Sequence, residues 1–410
     1  MSMSKAGKSY SGSLLMKKVH SHFVRLINKV LYTVFLICKI NPGLILFESE
    51  GDMSDNSYAL YEYLQKNGLL KEYTVVWLVS NYKTSFSNRY RNVFFELKTP
   101  ESISVRRAKF LATARYYIFD HSNLYDGLYK RKGLKIIYIT HGCGYKKPTV
   151  KDDYRNNADE VYYTGKHFLH SMKAFCCCDE SVMFDIGYPR NDYLLGNVCL
   201  EQEMFAEKYH FKEYKKVALW MPTFRSSKSK DLSEEYFNSS TGLPILETEN
   251  DLKVFDNLLK KESILCIIKL HHLQAEIPAF SSSFTNILLL KDEMLQEDAI
   301  QLYQMIRLTD FLITDYSSIG NDYMLMDKPI IYTLDDYQEY IKSRGFSIED
   351  PAQFFIGEHV VNTRELFDAV IEVGNGVDRY KEERNVLLPS IHTYQDAFSS
   401  KRIAQRLGFI

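Results

Sequence analysis

Short apolar runs separated by helical patterns are what most limits the fold. Leu44 to Phe47, Thr74 to Val79, Tyr116 to Phe119 and Ile136 to Ile139 make a first series. Val217 to Trp220, Ile264 to Lys269, Asn286 to Leu290, Phe311 to Thr314 and Ile330 to Tyr332 make a second. Runs this short without polar alternation read as strands covered on both faces, which is the condition of a parallel sheet. Between them apolar residues recur at helical spacing, as at Tyr58 to Gln65 and Val105 to Thr113. Strands alternating with helices predict βαβ units, and two series predict two doubly wound, Rossmann-like α/β halves. At 410 residues with 45% hydrophobic content the chain can bury both cores. The expected boundaries are a basic segment at 1–40, a first α/β domain at 41–205, a second at 206–390 and a terminal helix at 391–410. A charged, serine-rich insertion occupies Ser226 to Leu243, and there are no repeats.

In open α/β sheets ligands collect at the carboxyl ends of strands, so the residues leaving each strand carry the functional argument. After Ile139 comes Thr140-His141-Gly142-Cys143-Gly144-Tyr145-Lys146-Lys147, an imidazole on a glycine-hinged loop beside two cations. After Trp220 comes Met221-Pro222-Thr223-Phe224-Arg225, and after Ile268 comes Lys269-Leu270-His271-His272. The strand Phe311 to Thr314 runs into Asp315-Tyr316-Ser317-Ser318, then a short helical pattern through Ile319, Asp322, Tyr323 and Met326, then Lys328-Pro329 and the next strand. Ser317 or Ser318 is placed to cap that helix, and the helix start suits an anion such as phosphate. Taken singly, each histidine reads as structural and Ser-Ser reads as a cap. Four such loops at equivalent positions in both halves point instead to one anion-handling site. Tyr316 and Pro329 read as packing residues.

Charge is distributed unevenly. Residues 1–40 hold seven Lys or Arg and no acid, so they carry +7 and the remainder −8, giving the net −1. In the same segment Phe23, Ile27, Val30, Val34 and Ile37 fall on one helical face, with Arg25 and Lys29 on another. A basic amphipathic helix suits an anionic membrane surface. It is a poor spanning helix, because the uninterrupted run from Val30 to Cys38 falls well short of the ~20 residues a bilayer needs, and Asn41-Pro42-Gly43 is no small-residue cleavage site for a signal peptide. The acidic remainder lacks a basic recognition motif, which argues against nucleic acid. Seven cysteines, three of them adjacent at Cys176 to Cys178, have neither metal spacing nor a disulfide-like layout and imply a reducing compartment.

At the strand-end loops the chain resembles the CDP-glycerol glycerophosphotransferases, which build teichoic acids and some capsular polymers in bacteria. The His-Gly loop with its Lys is matched by His141, Gly142 and Lys146; Gly-x-Pro-Arg-x-Asp by Gly187-Tyr188-Pro189-Arg190-Asn191-Asp192; and Pro-Thr-x-Arg by Pro222 to Arg225. Thr-Asp-Tyr-Ser-Ser stands intact at Thr314 to Ser318, followed by Asp322-Tyr323 and Asp327 to Ile330. Tyr340, Arg344-Gly345 and Asp396 to Ile403 are also similar, so the resemblance covers essentially everything after residue 40. Two departures stand out: Cys143-Gly144 replace the usual Thr-Pro, and His271-His272 the usual His-Pro.

The resemblance implies a GT-B-like fold, with the two domains facing a central cleft, the first taking the acceptor and the second CDP-glycerol or CDP-ribitol. It implies transfer of a polyol phosphate, glycerol phosphate foremost, to a lipid-linked saccharide or polymer with release of CMP, at the cytoplasmic face of the cell membrane. His141 is expected as general base, its ordinary pKa lying near neutrality, with His271 as a second catalytic histidine. Gly142, Lys146, Arg190, Asp192, Thr223, Arg225, Lys269, Thr314, Asp315, Ser317, Ser318 and Asp322 are expected to bind substrate, Asp322 having an equal claim to a purely structural role at its helix. No cofactor is expected to be required and no protein metal site; a Mg²⁺ carried by the diphosphate remains compatible. A sugar-nucleotide glycosyltransferase would share the fold, and released UDP or GDP in place of CMP would reveal one.

Overall fold

The computed structural model describes residues 6–82, 93–98, 102–121, 123–142, 146–147, 154–223, 240–270, 280 and 283–410, with side chains from residue 19 onward. The insertion at Ser226 to Leu243 lies largely outside these residues. Two compact units emerge: residues 1–141 with 155–162 and 404–410, and residues 142–154 with 163–403.

The first unit begins with a long helix, Ala6–Phe35, and is built on a sheet. Its strands are β1 (Asn41–Glu48), β2 (Thr74–Val79), β3 (Val93–Leu97), β4 (Ala114–Phe119), β5 (Lys135–Tyr138) and β6 (Glu160–Tyr163), in the order β3-β2-β1-β4-β5-β6; a short strand, β7 (Met183–Asp185), falls among the residues of the second unit. The pairs β1–β2, β1–β4, β2–β3, β4–β5 and β5–β6 are all parallel. Aromatic rings fill the space between sheet and helices: Phe47 stacks on Trp77 at 5.2 Å, and Tyr61, from the helix Asp55–Lys66, meets Trp77 edge-on at 5.6 Å. Such pairs add about 0.5–1.5 kcal/mol beyond their buried area.

The second unit repeats the plan. Strands β8 (Lys216–Met221), β9 (Ile264–Ile268), β10 (Ile287–Leu289), β11 (Phe311–Thr314), β12 (Ile330–Thr333) and β13 (Glu358–Val360) lie in the order β10-β9-β8-β11-β12-β13. Every pairing is parallel. The helix Glu249–Glu262 starts at a capping box, in which the Asp251 N–H donates to the Thr248 hydroxyl and the Thr248 N–H donates back to the Asp251 carboxylate. It buries Leu252, Phe255 and Leu259 against Trp220, Ile264 and Ile268. The helix Thr363–Gly374 adds Leu366, Val370 and Val373 to the same core.

Both sheets reverse their strand order beside the first strand, between β1 and β4 in one and between β8 and β11 in the other. Those are the switch points at which doubly wound sheets leave room for a ligand. The strands stand where the apolar runs predict them. The sequence reading omits β3, β6, β7 and β13. Strands β3 and β13 are edges, with exposed Phe94 and His359, so neither reads as a continuous apolar run. Strand β6 is disguised by buried Glu160, whose charge is met by Lys135 and Arg406.

Candidate active site

In the first unit the site is assembled from the exits of β1, β4 and β5. His141 is reached through Thr140, a buried residue with φ of +62°. That left-handed conformation is costly for a β-branched side chain and persists only where its surroundings enforce it. Here the Thr140 hydroxyl donates to Tyr162 O at 3.0 Å, and its carbonyl accepts from Asn56 Nδ2 at 2.9 Å. The turn so fixed delivers the His141 ring to the end of β4, where Nδ1 lies 2.9 Å from the backbone carbonyl of Asp120. A carbonyl only accepts, so Nδ1 donates in this bond, and the neutral form of the ring would carry its lone pair on Nε2.

His121 lies flat against that ring, at 3.8 Å between centroids and 14° between planes. Its Nδ1 is 3.0 Å from Asp120 Oδ1 and its Nε2 is 2.8 Å from Glu50 Oε2. Carboxylates on both ring nitrogens require both to donate, which makes His121 an imidazolium. Burial alone would push it down, but the bonds to Asp120 and Glu50 more than offset this and push it up to about 10. Buried Asp120 also accepts from the N–H groups of Glu50 and Ser57 at 3.2 and 3.0 Å. Burial raises its pKa, and its bonds from His121 and Ser57 pull the other way.

In the second unit the exits of β8 and β11 are bolted together. Asp315 is wholly buried; the Thr223 N–H reaches both its carboxylate oxygens, at 2.8 and 2.9 Å, and the Thr223 hydroxyl donates to Oδ1 at 2.6 Å. The Thr314 hydroxyl donates to Met221 O at 2.7 Å. Lys146 Nζ comes within 3.3 Å of the Thr223 hydroxyl, so ammonium, hydroxyl and carboxylate form one chain. Gly142 packs on Ser318: a Cβ there would stand 2.6 Å from the Ser318 hydroxyl. Ser317 and Ser318 are half-buried on the turn into the helix Ile319–Tyr323. The expected cap is not formed, because Ser318 has helical backbone angles and its side chain makes no capping bond. Tyr316 is buried and donates to Asp336, at the edge of a cluster with Tyr340, Phe346 and Phe355, as its reading as a packing residue requires.

Other expected site residues are engaged in internal bonds. Asp322 accepts from Arg190 Nη2 at 2.8 Å, Asn191 Nδ2 at 3.2 Å and Tyr303 OH at 2.6 Å, all buried. Arg190 also lies over the Tyr303 ring at 4.6 Å. Asp192 accepts from the N–H groups of Ser399 and Ser400, both at 2.8 Å, and so fastens the start of the helix Ser399–Leu407. Lys269, buried at the exit of β9, reaches Asp292 at 3.0 Å. Arg225, His271 and His272, with Cys143 and Gly144, lie outside the described residues. Glu50, Asp120 and His121 are absent from the sequence reading. Their one signal was position, since Asp120-His121 leaves β4 next to the His141 exit of β5. Among the described residues no group of His, Cys, Asp and Glu could hold a metal ion.

Comparison with known proteins shows the family and the fold. The model of the family described as CDP-Glycerol:Poly(glycerophosphate) glycerophosphotransferase matches residues 30–408. The teichoic acid poly(glycerol phosphate) polymerase of Bacillus spizizenii is 25% identical over 96% of this chain and 99% of its own length. The teichoic acid ribitol-phosphate primase of the same organism is 25% identical over 72% of this chain and 75% of its own. Among solved structures, that of the wall teichoic acid polymerase TagF superposes with a TM-score of 0.71 at 19% identity, covering 96% of each chain, a likeness of fold.

Proposed function

The chain belongs to the CDP-glycerol:poly(glycerophosphate) glycerophosphotransferase family, and on that premise we propose that it transfers glycerol phosphate from CDP-glycerol to a hydroxyl of a lipid-linked teichoic acid or capsular acceptor. The acceptor oxygen attacks the β-phosphorus, the bond from that phosphorus to the bridging oxygen breaks, and CMP leaves. A phosphodiester forms, and the hydroxyl proton passes to His141 Nε2. The observation that carries this reading is the Nδ1–H bond of His141 to Asp120 O, which presents the lone pair of a neutral imidazole on the opposite nitrogen.

Residues 41–205 take the acceptor in this reading and 206–390 the nucleotide. Ser317 and Ser318 donate to the diphosphate, and Lys146 supplies positive charge as the phosphoryl group transfers. Arg225 and His271 complete the set on sequence grounds. Thr223, Thr314 and Asp315 hold the loops that carry these groups, and Arg190, Asp192 and Asp322 brace the elements behind them. The diphosphate needs no protein-bound metal in this scheme. Ribitol phosphate is the second reading, favoured by the likeness to the ribitol-phosphate primase.

The enzyme works at an anionic membrane surface, the cytoplasmic face, in the same proposal. Among the described residues no helix is long and apolar enough to cross a membrane. The first helix nevertheless exposes Val19, Phe23, Leu26, Val30 and Val34, from 54% for Val30 and Val34 to 62% for Val19, and Ile37 is exposed in the turn just past its end. Helical spacing keeps the first five on one narrow stripe. Ile27, expected on that face, is turned halfway into the protein, and Val19 and Leu26 take its place.

CMP release from CDP-glycerol, CDP-ribitol and a UDP-sugar, each with a lipid-linked acceptor, tests the reading. CMP from CDP-glycerol is expected, and UDP release would overturn it. His141→Ala should lower turnover by ~10²–10⁴-fold and leave donor binding largely intact; wild-type turnover would remove His141 from the mechanism.

A further inference from the structure

The Glu50–His121–Asp120 cluster has no part in the transfer as described, yet it is built around the base. His121 presses its face on His141 at 3.8 Å, and both residues are fixed by the same amino acid: Asp120 takes His121 Nδ1 with its carboxylate and His141 Nδ1 with its backbone carbonyl. We infer that His121 is a positioning residue for the reaction, a standing imidazolium that keeps the stacked His141 ring neutral, in one tautomer, and ready to accept a proton on Nε2. The inference rests on the reading of His141 as the base.

The physical reason is repulsion between like charges. A proton arriving on His141 would set two cations face to face at 3.8 Å, and like charges that close disfavour the second proton. The ordinary outcome of two adjacent histidines is that they compete for one proton. Here two carboxylates, of Asp120 and Glu50, bond to His121, while Asp120 meets His141 with its neutral backbone carbonyl. Asp55 lies near enough to Asp120 to act on it, and Lys98 donates to the carbonyls of Ser49 and Glu50. Buried Glu48, which accepts from Tyr117, is raised to about 8 chiefly by burial and so brings little negative charge at neutral pH. Ring stacking also removes the freedom of His141 to flip, a restriction that a hydrogen bond to one nitrogen does not supply alone.

The test is the pH dependence of kcat/KM for whichever donor releases CMP, in the wild-type protein, His121→Gln and His121→Lys. His121→Gln removes the cation and leaves the carboxylates, so its acid limb should move up by about one pH unit or more. His121→Lys restores a cation and should bring the limb back toward the wild-type position. A ring that mattered only for packing would lower the plateau in both variants and leave the limb unmoved, which would overturn the inference. Wild-type protein labelled with ¹⁵N-histidine gives a reading that depends on no variant. Both His121 nitrogens should stay protonated from about pH 6 to about pH 8, where an ordinary imidazole loses its proton. A His121 nitrogen unprotonated at neutral pH would equally overturn it. The two failures are distinguishable: an active His141→Ala enzyme removes the base itself, whereas an inactive one with an unmoved limb in His121→Gln removes only the role of His121.

Discussion

Ser318 and Asp322 stand one helical turn apart and have opposite environments. Ser318 is half-exposed and makes no capping bond, whereas Asp322 is buried among Arg190, Asn191 and Tyr303. Replacing both Ser317 and Ser318 by Ala should therefore weaken CDP-glycerol binding in calorimetry while the unfolding midpoint stays close to wild type, short of the ~1 kcal/mol that a true cap is worth. Unchanged affinity together with a large loss of stability would reverse that assignment. Asp322→Ala should do the reverse. It leaves the buried Arg190 guanidinium without its carboxylate, and removing one partner of a buried pair costs about 3–5 kcal/mol, readable in urea unfolding without ligand. The motif signalled both residues and could not separate them, because what distinguishes them is burial. His121 was invisible for a related reason: twenty residues separate it from His141, and they meet only because β4 and β5 are adjacent strands.

Elements were legible where buried strands are also unbroken apolar runs; β6, buried throughout, escaped because Glu160 opens it. Strands β2 and β11 match the apolar runs residue for residue, since a strand covered on both faces leaves no room for polar side chains. The edges β3 and β13 carry the polar residues that edges tolerate, and so escaped. The helix Lys381–Ile391 shows a further element-level dependence that no pattern announced. It ends at His392, whose buried ring donates from Nε2 to Asn321 O at 3.0 Å and thereby ties it to the helix Ile319–Tyr323. Burial lowers the pKa of His392 despite the pull of nearby Asp322. A folded pKa below the unfolded value of about 6.5 means the unfolded chain takes up the proton more readily. The contribution of neutral His392 is accordingly complete above about pH 6.5 and is lost as pH falls through the folded value. Thermal unfolding should show the advantage of wild type over His392→Asn shrinking on acidification below about pH 6.5; an advantage independent of pH would mean the ring stays uncharged for another reason.

At the scale of the whole molecule the first helix has two contrasting faces. One is anchored: Val24 and Tyr32 are buried, Asn28 Nδ2 donates to Ser102 O at 2.9 Å, and the Tyr32 hydroxyl donates to Tyr129 O at 2.6 Å. The other is the apolar stripe. Deleting residues 1–40 would remove both together, so the sharper variant replaces only Phe23, Leu26 and Val30 by Ser. It should unfold at the wild-type temperature yet sediment poorly with vesicles containing anionic lipid. Wild-type binding should weaken in high salt without vanishing, each Lys or Arg near the surface being worth ~1 kcal/mol and screened over roughly a Debye length. Undiminished sedimentation of the triple variant would place the membrane contact elsewhere. The stripe also decides something besides location. A protein tethered through a flexible tail keeps all its rotations, but one that rests on a long helical face gives up two and retains only the spin about the membrane normal. The search for a lipid-linked acceptor then takes place in a plane, at a fixed height and tilt, and collisions in the wrong attitude largely drop out of the encounter rate.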